Sequence, residues 1–189
     1  LFNLFHFKSS PEFQVKQMGA YGSPGTWLPH GDSMGLGYSY KPMLKNYSST
    51  KVGVYRNGKQ FTIYDVLYNI DSRSNRNTPM SGYREKDPSN SILFLGGSFT
   101  FGEGLNDNQT LSYYIQLLTN RAAINAGMHG YGTHQPLKIL EDDELFSYKT
   151  KTAKVTTVIY RFIDGHIKRA AGYSPWDKYG PCYEVDNSR

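Results

Sequence analysis

The chain has a single cysteine, Cys182. That excludes an internal disulfide and a multi-cysteine zinc site, and it leaves the redox compartment open. No His or Lys adjoins Cys182, so it reads as structural or incidental. No apolar run approaches the length of a membrane span. No block of five or more Lys/Arg occurs and no basic helix face is apparent, which argues against a nucleic-acid partner. There is no internal repeat, no low-complexity tract, no Gly-rich phosphate loop followed by Lys, and no metal-ligand spacing, so no cofactor or metal is expected. Also missing is Asp-x-x-His: the residues three before the histidines are Asn3, Trp27, Ala126, Tyr131 and Ile163.

The 189 residues leave room for one domain, at about 100–200 residues each. A 38% hydrophobic, 20% charged composition excludes a wholly disordered chain. Tyr supplies 16 of the 28 aromatic residues, so much of the ring area carries a hydroxyl that needs water or a partner. The net charge of +5 divides into +5 over residues 1–88, −4 over 89–144 and +4 over 145–189. This alternation describes a solvated surface rather than a basic patch. The run Glu141-Asp142-Asp143-Glu144 reads as an exposed helix face. The first residue is Leu1, which fits a processed chain or a piece of a longer one. The apolar stretch Leu1–Phe7 reads either as the stub of a removed anchor or signal, in an exported or membrane-anchored protein, or as an ordinary ragged end.

Residues 9–50 are rich in Gly, Pro, Ser and Tyr and read as an irregular arm. Residues 51–55 and 61–68 then flank Arg56-Asn57-Gly58-Lys59, a β-hairpin signal. Turn-formers return over 71–90. A boundary near 88–90 divides an arm-plus-hairpin unit (1–88) from a second unit (89–189). The second unit has α/β texture. Ile92-Leu93-Phe94-Leu95 predicts a strand buried on both faces. A helix capped by Asp107 or Asn108 follows, with Leu111, Tyr114, Ile115 and Leu118 as its apolar stripe. Residues 122–126 predict a second strand, Thr133 to about Tyr148 a second helix, and 155–163 a third strand. This alternation predicts a parallel sheet with its active site beyond the strand carboxyl ends. Those ends carry Gly96-Gly97-Ser98, Gly127-Met128-His129-Gly130 and Asp164-Gly165-His166.

The stretch Ile92–Gly102 carries the chemistry. A buried strand runs into two glycines and then a Ser, placing a hydroxyl where a substrate carbonyl can reach it. On spacing alone a phosphate-binding turn or a plain tight turn remains open. Gly96-Gly97-Ser98-Phe99-Thr100-Phe101-Gly102-Glu103-Gly104 resembles the first block of the SGNH hydrolases, the GDSL-type esterases and lipases. Asn125-Ala126-Gly127-Met128-His129-Gly130-Tyr131-Gly132-Thr133 resembles their second block, with Gly130 at the oxyanion glycine. The resemblance spans about residues 90–170. It implies a three-layer α/β/α flavodoxin-like fold, incomplete here. It also implies a serine esterase acting on acyl or acetyl esters, of small molecules or carbohydrates. Ser98 is then the nucleophile, and the N–H groups of Ser98 and Gly130 hold the oxyanion.

The departures are Gly97 in place of the usual Asp, no Asn after strand three, and no Asp-x-x-His. The base is then a histidine outside these residues, or His166. His166 is alternatively an oxyanion donor replacing the Asn, or a loop histidine. Asp164 orients His166 or caps the next turn. His129 is a candidate pocket residue, and His134 belongs to a helix start. Gly31-Asp32-Ser33 is closer to the family spelling, but no apolar strand precedes it, and it reads as a turn. A non-catalytic ligand- or partner-binding module is the competing function.

Overall fold

The structure, a computed structural model, describes residues 13–19, 27–28, 34–55, 57–80, 87–151 and 153–184. Among these the chain is mixed α/β. Strands β1 (Phe13–Gly19), β4 (Tyr47–Tyr55) and β5 (Gln60–Tyr68) form an antiparallel sheet in the order β1-β4-β5. Two short strands, β2 (Trp27–Leu28) and β3 (Ser39–Tyr40), pair antiparallel. The arm therefore contributes strands that its Gly/Pro/Ser texture hid. Phe13-Gln14-Val15-Lys16 does alternate apolar and polar residues, but a run that short is weak against turn-rich flanks. The β4–β5 connection also differs from a two-residue Asn-Gly turn. Among its described residues only Gly58 has positive φ, at 82°. Gly58 N–H donates to the Tyr55 carbonyl, and Tyr55 N–H donates to that of Lys59. This is a tight turn followed by a left-handed glycine, the usual three-residue alternative.

The second sheet is parallel. β6 (Asp87–Gly96) lies between β7 (Arg121–Asn125) and β8 (Val155–Arg161). The first strand in sequence is thus central, and the chain leaves it first to one side and then to the other. Ile92, Leu93, Phe94 and Leu95 are all at most 2% exposed, as a strand flanked on both edges and both faces requires. Between β6 and β7 come α1 (Ser98–Phe101), a 3-10 turn at Asp107–Gln109 and α2 (Leu111–Thr119). Between β7 and β8 come α3 (His134–Glu141) and α4 (Asp143–Thr150), and α5 (Gly165–Ala170) follows β8.

Two helix expectations are corrected. The single helix over 133–148 is two helices that meet at Asp142. Its carboxylate accepts from Leu145 N–H, capping α4, and binds Lys138 Nζ at 2.8 Å. The acidic run is therefore a helix junction, not one continuous face, because Asp caps helices better than it continues them. The cap of α2 is Thr110, whose hydroxyl accepts from Tyr113 N–H, while Asn106 caps the 3-10 turn. The expected apolar stripe of α2 faces out, with Leu111, Tyr114 and Leu118 exposed. Ser112 and Gln116 face in. Gln116 bonds Pro79 O and Ala123 N, and Ser112 bonds Asn125 Nδ2. Polar demand from neighbouring backbone overrode the hydrophobic pattern.

One buried cluster joins Leu36, Tyr38 and Tyr40 of the arm and Val66, Tyr68 and Ile70 near β5 to Leu93, Leu95, Phe101, Ile139 and Leu145. The compositional boundary at 88/89 is therefore not a boundary of packing. Arg76 stands inside the interface, 1% exposed. It stacks on Tyr68 and Phe101 at 4.3 and 4.6 Å and is ion-paired to Asp107 at 2.7 Å. Its backbone N–H donates to Asn125 O of β7. Asp107→Ala strands this buried guanidinium and is expected to lower unfolding free energy by about 3–5 kcal/mol, read by urea titration.

Candidate functional site

Ser98 is the first residue of α1, with Gly97 at the cap. It sits at the carboxyl end of the central strand, at the point where the sheet order reverses and ligands of open α/β sheets bind. It is half-buried, and its hydroxyl has no hydrogen-bond partner among the described residues. It lines a groove of about 440 Å³ with Lys51, Tyr64, Phe99, Glu103 and Arg161. The exit of β7 is strapped beside it. Met128 N–H donates to Gly96 O at 3.0 Å, and Asn125 Nδ2 donates to Thr100 O at 2.9 Å.

The structure gives a physical reason for glycine at 97. A Cβ there would lie 2.8 Å from His166 Nε2 and 3.1 Å from Arg169 Nη1. The space that an Asp side chain would need is filled by the imidazole. His166 is 1% exposed. Its Nδ1 lies 2.8 Å from Tyr160 Oη, which also meets Thr133 Oγ1 at 3.0 Å. Nε2 has no partner among the described residues. Burial, then Arg169 and His134, lower its pKa to about 4, so the ring is neutral at pH 7. If Tyr160 donates to Nδ1, Nε2 carries the proton. If Nδ1–H donates to Tyr160, Nε2 carries the lone pair.

Asp164 does neither thing expected of it. It is exposed, its carboxylate makes no hydrogen bond among the described residues, and only its carbonyl is used, by Ile167 N–H. Tyr160 takes the place it was expected to hold against His166. Gly130 has φ of +77°, where a side chain would be strained. A Cβ there would meet Tyr38 Oη at 2.5 Å and Trp176 Nε1 at 2.7 Å. The arm and the 170s segment thus cover Gly130. The groove that Ser98 lines does not include Gly130, Asp164 or His166.

His129 is enclosed by Tyr40, Tyr68 and Phe101 and does not line the groove. Its Nδ1 is 3.1 Å from Tyr40 Oη and its Nε2 is 3.8 Å from Glu103 Oε2. Burial lowers its pKa to about 3, against the pull of Glu103. Glu103 itself is held below the usual carboxylate range. Burial opposes this, but the hydrogen bond from Lys51 leads the opposing causes. His134 does begin α3 and is buried, with Nε2 2.7 Å from Asp177 Oδ2, which also accepts from Gln135. Tyr160 and Asp177 carried no signal in the sequence, since neither sits at a motif spacing from its histidine. Gly31-Asp32-Ser33 lies outside the described residues.

A larger cavity, about 670 Å³, lies at the α3–α4 junction between Glu141–Glu144 and Pro181–Tyr183. It includes none of the strand-end residues, and exposed Cys182 lines it together with Lys138 and the acidic run. Among the described residues no group of three or more His, Cys, Asp or Glu is placed to hold a metal, and no helix is long and apolar enough to cross a membrane. No family model, curated protein or solved structure matches the chain.

Two outcomes follow from this geometry. Gly97→Ala is expected to cost about 1–3 kcal/mol by overpacking, and less in a His166→Ala background, as a double-mutant cycle of unfolding free energies will read. The unfolded chain binds protons on His129 and His166 near pH 6.5, whereas the folded chain does so near 3 and 4. Stability therefore falls as pH drops from about 6.5 toward 4. His166→Asn should flatten that slope in urea titrations at pH 6.5, 5.5 and 4.5.

Proposed function

We propose that the chain is a serine ester hydrolase of the SGNH type, acting on acyl or acetyl esters of small molecules or carbohydrates, with Ser98 as nucleophile. The carrying observation is the position of Ser98. Its unpartnered hydroxyl stands at the carboxyl end of β6, on a groove wide enough for a small ester. The parallel order β7-β6-β8 supports the three-layer SGNH arrangement, with β6 as the family's first strand.

In this reading Ser98 Oγ attacks the ester carbonyl and its proton passes to a base. The Ser98 N–H supports the oxyanion, and the Gly130 N–H has that role by resemblance. His166 replaces the absent Asn. With Tyr160 donating to Nδ1, Nε2–H is a neutral donor beside the Gly97–Ser98 turn. That tautomer suits this role, because Nε2 then offers a hydrogen bond and has no lone pair with which to take the proton from Ser98. The base is the histidine of an Asp-x-x-His block, which these residues lack.

One observation favours the alternative, a non-catalytic ligand- or partner-binding module. Among the described residues no carboxylate is aligned on His166, since Asp164 is exposed and Tyr160 occupies Nδ1. The two readings separate on Ser98 in the longest protein that carries this chain. The esterase reading expects a fluorophosphonate probe to label Ser98. It expects p-nitrophenyl acetate turnover to fall about 10⁴-fold or more in Ser98→Ala, and about 10²–10³-fold in His166→Ala. Turnover that survives Ser98→Ala overturns it.

A further inference from the structure

We infer that the groove beside Ser98 takes an ester that also carries an anionic group, and that Arg161 is the specificity-determining residue that holds it; this rests on the esterase reading above. The argument starts from charge balance. Three charged side chains line the groove: Lys51, Glu103 and Arg161. Lys51 Nζ lies 2.9 Å from Glu103 Oε1, and Tyr64 Oη donates to the same oxygen at 3.1 Å. That pair compensates itself. Arg161 has no acidic partner among the described residues. The groove is left with one uncompensated positive charge.

The guanidinium is also held in place. It stacks over the Phe99 ring, 5.1 Å from the centroid, and donates from Nη1 to the Phe99 carbonyl at 3.3 Å. Phe99 follows Ser98 directly, and Arg161 pairs in register with Gly96, two residues before it. The charge is therefore anchored to the same turn that presents the nucleophile. One of its five N–H donors is used, and the rest form a planar fork that matches a carboxylate or phosphate. Exposed Phe99 and Ile63, with Leu105, supply an apolar wall for the body of such a molecule. A half-buried hydroxyl, an apolar wall and one fixed cation describe an ester with a neutral reacting end and an anionic far end.

The test uses the longest protein that carries this chain and three acetyl esters: 4-acetoxybenzoate, 4-acetoxyphenyl phosphate and the neutral methyl 4-acetoxybenzoate. We expect kcat/KM to favour at least one of the anions by about tenfold or more, the scale of a charge-assisted hydrogen bond. Arg161→Gln should erase that preference, read as the ratio of kcat/KM for the anionic over the neutral ester, and Arg161→Lys should keep part of it. Which anion is preferred separates carboxylate from phosphate. Equal rates for all three esters, or equal loss on all three in Arg161→Gln, overturn the inference and leave the esterase reading standing. A second readout does not need turnover. Ligand-observed NMR with 4-hydroxybenzoate, 4-hydroxyphenyl phosphate and methyl 4-hydroxybenzoate on the Ser98→Ala protein should show anion binding that weakens about tenfold in Ser98→Ala/Arg161→Gln. Arg161-dependent anion binding without hydrolysis of any ester overturns the esterase reading alone. Binding indifferent to charge or to Arg161 overturns the inference.

Discussion

Arg76 holds a guanidinium between two aromatic rings, away from water, and most of the molecule is arranged to make that tolerable. Desolvation pulls its pKa down, and Asp107 pulls it back. Asp107 is in turn fixed by Asn69 and Asn77, and Leu105 O takes a further guanidinium proton. Through these contacts and its backbone N–H to Asn125 O, one residue ties together the end of β5, α1, the 3-10 turn and β7. A charge in an apolar place is unforgiving, because it is satisfied by one arrangement of its neighbours and penalised in others. The hydrophobic cluster alone allows slippage between the antiparallel and parallel sheets. The paired guanidinium fixes their relative placement, and with it the wall of the Ser98 groove that Lys51 and Tyr64 contribute.

The same preference for polar bonds over pattern decides where the sequence was legible. β6 was readable because a strand buried on both faces needs an uninterrupted apolar run, and few other structures do. The Gly96-Gly97-Ser98 turn and the parallel alternation after it followed from strand-end logic. The orientation of α2 did not, since Gln116 and Ser112 answer backbone groups of Pro79 and Ala123 and the side chain of Asn125, none of them visible from the helix itself. The break at Asp142 was hidden by reading four acids as a charge run rather than as a cap. β1 was hidden because its pairing partner lies more than thirty residues on.

At the candidate site, Ser98 was legible and its environment was not. In the sequence Gly97 is a departure from the usual Asp. In the structure it is a steric requirement set by His166 and Arg169, which come from α5. His166 was visible as a strand-end histidine, but its partner was expected nearby at Asp164 and proves to be Tyr160, six residues earlier on β8. Local proximity favoured the carboxylate. Burial favoured the phenol, because a neutral imidazole in a dry pocket is satisfied by a neutral hydroxyl without the cost of desolvating a charge.

The Tyr38–Tyr131 contact has a consequence in time rather than space. Tyr38 Oη reaches His129 O, and Tyr131 Oη reaches Tyr38 O, at separations of 91 and 93 residues. Residues 34–40 are among the first of the described chain to be synthesised, yet these two contacts wait for a loop made much later. Closing so long a loop costs entropy before any contact repays it. Tyr38 emerges early, and its hydroxyl stays in water until the loop after β7 exists to receive it.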